Sequence, residues 1–154
     1  MEIFFLLCFS LHNLEEALWL PGWSKHAGKY HKEVTENEFR FAVIIITALG
    51  YLLTFQYLLF PSAPVSKFIY CGFILMMVVN VVFPHLAATI ILRRYAPGTI
   101  TGVILNAPVG VYILIRKINS LNELACVFTA GAIISIIVLF SLKYLFMAGG
   151  RFNR

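Results

Sequence analysis

The sequence predicts an all-α, polytopic membrane helix bundle of five transmembrane helices, and three observations carry that reading. Of 154 residues, 60% are AVILMFWYC and only 12% are Asp, Glu, Lys or Arg, about half the charge of an ordinary soluble domain. The mean hydropathy is +0.87. Five apolar segments reach the roughly 20 residues that a helix needs to cross a bilayer core about 30 Å thick. With 14 Phe against 7 acidic residues, the chain cannot cover a water-soluble globule with polar surface.

The first segment spans residues 2–20 and is expected to stop at Pro21-Gly22. Its apolar stretch from Ile3 to Leu11 resembles a signal-peptide core, but no basic region precedes it and no small-x-small cleavage site follows. The second spans 39–60, closed by Pro61 and Pro64; the third spans 67–92; the fourth spans 97–115; the fifth spans 121–148, ahead of Gly149-Gly150. Connections are short except for Pro21 to Glu38, which carries three Lys, three Glu and two His. Residues 1–154 therefore read as a single integral membrane domain.

The net charge of +5 does not indicate nucleic acid, because the basic residues sit at the ends of apolar runs and not on one amphipathic face. They divide unevenly. Lys25, Lys29, Lys32, Arg40, Arg93, Arg94, Lys143, Arg151 and Arg154 fall on one side, and Lys67, Arg116 and Lys117 on the other. The positive-inside bias then puts the C-terminus in the cytoplasm and the N-terminus outside. Cys8, Cys71 and Cys126 lie singly in apolar runs, where free Cys behaves as a small hydrophobe. The chain contains no Asp, which removes any chemistry that requires one.

Ionisable side chains at bilayer depth are costly and mark function by default. Four occur: His12, Glu15 and Glu16 in the first span, and His85 in the third. On a helix Glu15 and Glu16 stand three and four residues from His12, so all three project within a sector of about 100°. At 1.5 Å per residue, Glu16 lies roughly 6 Å, His12 roughly 12 Å and His85 roughly 10 Å from the cytoplasmic ends of their spans. The four groups share one level, as a site between two helices requires.

His12-Asn13-Leu14-Glu15-Glu16, the isolated His85, and Tyr95-Ala96-Pro97-Gly98 together resemble the HXXEE family of small multi-pass membrane proteins, marked by that pentapeptide, a further histidine and a Y-x-P-G motif. The resemblance runs from the first span into the fourth. It implies that these residues form the site, without implying a reaction.

Ligand chemistry points to a divalent metal. Two imidazoles with one or two carboxylates match the donor set of zinc, or of non-haem iron or manganese, and an open position would activate water. His12, Glu16 and His85 are the expected ligands. Glu15 is then left as an orienting partner or general base, and Tyr95 as an interfacial anchor whose hydroxyl can serve as a proton donor. Two other readings stay open: a hydrogen-bonded His/Glu cluster that only pins helices together, and a proton or ion pathway. His26 and His31, in the polar loop, either add a ligand or are simply solvated.

Pro84 withholds a donor from the carbonyl of Asn80, so a kink is expected there, aiming His85 at the site. Asn80 is placed to hydrogen-bond across helices. In the fourth span Gly98, Gly102, Asn106 and Gly110 recur at steps of four, a stripe that admits a close neighbour or lines a cavity with Thr101. Pro108 frees the carbonyl of Ile104. The fifth carries Ala125, Thr129, Ala132 and Ser135 at similar spacing and no charge in its central part, and it reads as a packing partner.

The leading functional expectation is a membrane-embedded metal-dependent hydrolase or isomerase acting on a lipid-like small molecule within the bilayer. Its competitors are a transporter or channel subunit and a non-catalytic binding protein. Transport needs polar residues through to the far face, where only Cys8, Ser10, Thr54, Gln56 and Glu123 are available.

Overall fold

A computed structural model describes residues 1–27 and 33–151. Its five long helices are α1 (Glu2–Ser24), α2 (Glu36–Leu59), α3 (Pro64–Leu92), α4 (Thr99–Lys117) and α5 (Leu121–Arg151), each long and apolar enough to cross a membrane. No strand occurs among the described residues. Large apolar side chains such as Ile44, Leu52, Ile115 and Phe140 face outward, as expected of helices whose solvent is lipid tails.

The helix ends differ from the sequence expectation for identifiable reasons. Helix α1 runs through Pro21 to Ser24. Pro21 frees the carbonyl of Ala17, and the Arg40 Nε–H of α2 donates to it at 3.3 Å, so the proline is tolerated without ending the helix. The Ser24 hydroxyl donates to the Pro21 carbonyl at 2.8 Å and accepts the Val34 N–H at 3.2 Å. Helix α2 begins at Glu36 because Thr35 and Glu38 form a capping box. Helix α4 begins at Thr99, after Gly98 at φ 90, and not at Pro97. Helix α5 passes Gly149 because that glycine lies against the start of α2, where a Cβ would stand 2.8 Å from the Asn37 oxygen.

Helix α3 is interrupted at Phe83, whose φ −135 and ψ 117 lie outside the helical region, and the Phe83-Pro84 peptide bond is cis. The break sits one residue before the expected proline kink. A second wide turn covers Gly102–Asn106 in α4. Such turns often accompany functional sites.

Helix α3 packs on α5, α4 and α2, while α1 packs on α2 and α4. Phe5 and Phe9 of α1 meet Phe73 of α3 edge to face, with ring centroids 6.0 and 5.2 Å apart. Among the stripe residues of α4, Gly102 lies on Val81, Gly110 on Val78 and Ile74, and Asn106 is fully buried. The stripe is a close-approach surface.

Helix α5 is the expected packing partner, lying on α3 and α2, but not chiefly through the small residues spaced along it. Ala125, Thr129 and Ala132 are exposed, and the Thr129 hydroxyl is satisfied by its own Ala125 carbonyl at 2.9 Å. Val127, Ala130 and Gly131 pack instead, because Gly72 and Gly131 let the α3 and α5 backbones touch: a Cβ on Gly72 would meet Gly131 N at 2.7 Å. Small residues on both faces of an apolar helix make the contact face ambiguous in sequence. Gly72→Leu is expected to separate α3 from α5, costing about 1–3 kcal/mol or more by overpacking. The check is unfolding in detergent, with the exposed Ala132→Leu expected to match wild type.

At the end remote from His12, Lys117 Nζ pairs with Glu2 and the Tyr57 hydroxyl, both at 2.7 Å, and Lys67 pairs with Glu123 at 2.7 Å. Lys117 thereby joins the ends of α4, α1 and α2, and the Lys67–Glu123 pair joins the starts of α3 and α5.

Candidate metal centre

The i,i+4 relation of His12 and Glu16 puts both side chains on one face of α1. The break in α3 brings His85 opposite them. His85 Nε2 stands 2.8 Å from Glu16 Oε1, and His12 Nε2 stands 3.7 Å from the same oxygen. The two imidazoles lie edge to face, centroids 5.1 Å apart. His12 is fully buried and His85 nearly so.

One donor atom from each of the three residues falls within 4.8 Å of the others. Ligands about 2.1 Å from a tetrahedral ion are about 3.4 Å apart, a value bracketed by the 2.8 and 3.7 Å separations. His12 Nε2 is buried and has no hydrogen-bond partner. A buried nitrogen of that kind carries a desolvation cost that a cation relieves. The residues present therefore fit a divalent metal held by His12, Glu16 and His85.

Glu15 turns away from this cluster toward the start of α4. Its Oε1 accepts the Tyr95 hydroxyl and the Gly98 N–H at 2.8 Å; its Oε2 accepts the Thr101 N–H at 3.1 Å and the Thr101 hydroxyl at 2.6 Å. Four donors fill the accepting capacity of one carboxylate. The Y-x-P-G segment thus supplies a hydroxyl and a helix N-terminus to the first of the paired glutamates. Gly98 also packs on both histidines, since a Cβ there would stand 2.8 Å from His85 Nδ1 and 2.9 Å from His12 Cε1.

Several supports carried no sequence signal beyond residue type. Thr101 bonds both Glu15 and His12, its Oγ1 lying 3.2 Å from His12 Nδ1. Thr89, one turn beyond His85, donates to the His85 carbonyl at 3.0 Å and accepts the Ala96 N–H at 3.0 Å, bracing the turn before α4. Asn13 Nδ2 donates to Thr47 Oγ1 at 2.7 Å, joining α1 to α2. Asn80 does not reach another helix; its Nδ2 lies 3.0 Å from His85 Nε2.

Two of the cavities beside α1 contain residues of the pentapeptide's glutamate pair. One, of about 230 Å³, contains Glu16 and His85 and is walled by Leu20, Phe39, Ile46, Met76, Val138 and Phe146 among others. The other, open and of about 780 Å³, contains Glu15, Tyr95, Thr101 and Arg94 with Trp19 and Trp23. The adjacent glutamates therefore serve different spaces. His26 lies in the open cavity, with Nδ1 on the Gly22 carbonyl at 3.1 Å, apart from the cluster. His31 lies outside the described residues, as do Lys29, Lys32 and Arg154.

Fold and site define a multi-helix protein of membrane-spanning character with a buried His/Glu/His group. The chain matches the family described as a protein of unknown function with HXXEE motif, over residues 3–113. It belongs to that family. A relative from Bacillus subtilis (strain 168), the uncharacterized protein YrkK, is 42% identical over 149 residues, covering 96% of this chain and 94% of its own. No solved structure matches.

Proposed function

We propose that the protein is a membrane-embedded metal-dependent enzyme, a hydrolase or isomerase, whose substrate is a lipid-like molecule. The observation that carries this reading is the buried, unpartnered His12 Nε2, within 4.8 Å of donor atoms on Glu16 and His85. A zinc, iron or manganese ion held there supplies a Lewis acid that activates water or polarises a carbonyl. Glu16 and His85 face the smaller cavity, whose apolar walls suit an aliphatic chain and leave few polar groups to orient it. Glu15, with its four donors, acts by orientation, and Tyr95 holds it from the open cavity.

Enzyme is favoured over transport by how the polar side chains toward the remote end are used. Ser10 bonds Tyr51, Thr54 bonds the Gly50 carbonyl and Glu123 pairs with Lys67. These three are already partnered, whereas the Gln56 side-chain oxygen is buried without a hydrogen-bond partner. The positive-inside bias of the sequence supports a metal centre near the cytoplasmic side, with the N-terminus outside and the C-terminus in the cytoplasm.

Elemental analysis of protein purified without chelator tests the reading. Wild type is expected to carry one Zn, Fe or Mn per chain, His12→Ala and His85→Ala to carry almost none, and His26→Ala to match wild type. Folded wild type free of all three metals, and unable to take them up on addition, sinks the metal centre.

A further inference from the structure

The metal reading requires His12 Nε2 to present a lone pair, and an isolated neutral imidazole chooses between its two nitrogens with little bias. The choice is made here by a hydroxyl on α4. Thr101 Oγ1 has one proton, and at 2.6 Å from Glu15 Oε2 it gives that proton to the carboxylate, which offers only acceptors. Toward His12 the same oxygen has only lone pairs left. His12 Nδ1, 3.2 Å away, must therefore carry the hydrogen of that bond. Its other nitrogen is left bare toward Glu16 and His85.

We propose that Thr101, oriented by Glu15, is a positioning residue that locks His12 in the tautomer protonated at Nδ1 and so makes Nε2 a ready ligand. The carboxylate acts on the histidine through an intervening hydroxyl, a relayed form of the hydrogen bonding that usually fixes metal-ligating histidines. Three separate facts agree with it. Thr101 is anchored twice to Glu15, through N–H and hydroxyl. The Glu15 carboxylate is itself fixed by Tyr95 and Gly98. Finally, Nε2 makes no hydrogen bond, as a nitrogen without a proton facing acceptors must. The arrangement also gives the two glutamates of the pentapeptide distinct tasks: Glu16 stands with the metal-facing atoms, and Glu15 sets the histidine from behind.

The inference rests on the metal reading for its purpose but not for its test, because the tautomer can be read in metal-free protein. Histidine-selective ¹⁵N NMR of the chelator-treated full chain in micelles, with the His12 signals identified by their loss in His12→Gln, is expected to show protonated Nδ1 and bare Nε2. Thr101→Val removes the acceptor and is expected to shift the population toward Nε2–H, lowering Zn²⁺ affinity about 10- to 100-fold; Thr101→Ser restores both. A predominantly Nε2–H His12 in wild type, or a Thr101→Val protein with unchanged tautomer and Zn²⁺ affinity, overturns the lock. If Thr101→Val does not fold, the wild-type tautomer and Thr101→Ser decide it. A locked tautomer in a chain that never binds metal would defeat the metal centre alone, whereas stoichiometric metal with an Nε2–H imidazole in the metal-free chain would defeat the lock alone.

Discussion

Gly98→Ala is expected to be the most damaging single-methyl change in the chain. Gly98 holds φ 90, a conformation that costs an L residue about 1–2 kcal/mol. The added Cβ would also stand 2.8 Å from His85 Cε1 and Nδ1 and 2.9 Å from His12 Cε1. Neither ring can swing aside freely, since one is bonded to Thr101 and the other stands 2.8 Å from Glu16. Together the strain and overpacking amount to roughly 2–5 kcal/mol. Thermal unfolding in detergent should drop markedly, and any protein that does fold should have lost metal. Gly22→Ala is the control, because nothing lies within 4 Å of a Cβ there. Equal stability and metal content in Gly98→Ala and Gly22→Ala would falsify this account of the motif glycine.

Glu15→Gln is expected to be at least as severe, although it changes one atom. The carboxylate accepts from two N–H groups and two hydroxyls, and hydrogen bonds to a charged group contribute about 1.5–3 kcal/mol each. A carboxamide accepts on its oxygen only, so its NH₂ must face donors on the remaining side. The expected cost is on the order of 3–6 kcal/mol, counting the loss of two such bonds. A second consequence separates orientation from simple stability. Metal affinity should fall in Glu15→Gln even in molecules that remain folded, because Thr101 no longer has a carboxylate to hold its proton away from His12. Unfolding midpoint and Zn²⁺ titration on the same preparation check both parts. A Glu15→Gln protein of unaltered midpoint would show that the start of α4 does not depend on this carboxylate.

The two predictions concern residues of different legibility. Glu15 stood out because a charged residue in an apolar helix is rare, and Gly98 because it follows Pro97 in a recognisable turn. The environment that makes each sensitive is long-range: Glu15 is bonded to residues 80 or more positions away, and Gly98 lies against a histidine from α1. Thr101 illustrates the reverse. A threonine in an apolar span is ordinary, because its hydroxyl usually bonds back to its own helix, as Thr47 and Thr54 do here. Only the approach of α1 reveals that Thr101 does otherwise. The contact face of α5 is hidden in sequence for a related reason, since an apolar helix surrounded by lipid lacks the polar side that would orient it.

Composition and spacing by themselves determined that the chain is built of five apolar helices and that His12, Glu16 and His85 are the groups to watch. Both follow from local physics: a bilayer sets the length of an apolar run, and an ionisable group inside one must have a reason to be there. Tertiary structure alone decided that His12, Glu16 and His85 meet while Glu15 faces another cavity, that Gly98 packs on both imidazoles, and that a threonine bridges Glu15 and His12. The physical reason is that hydrogen-bond direction and close contact depend on how helices rotate and cross, which apolar sequence leaves open and packing closes.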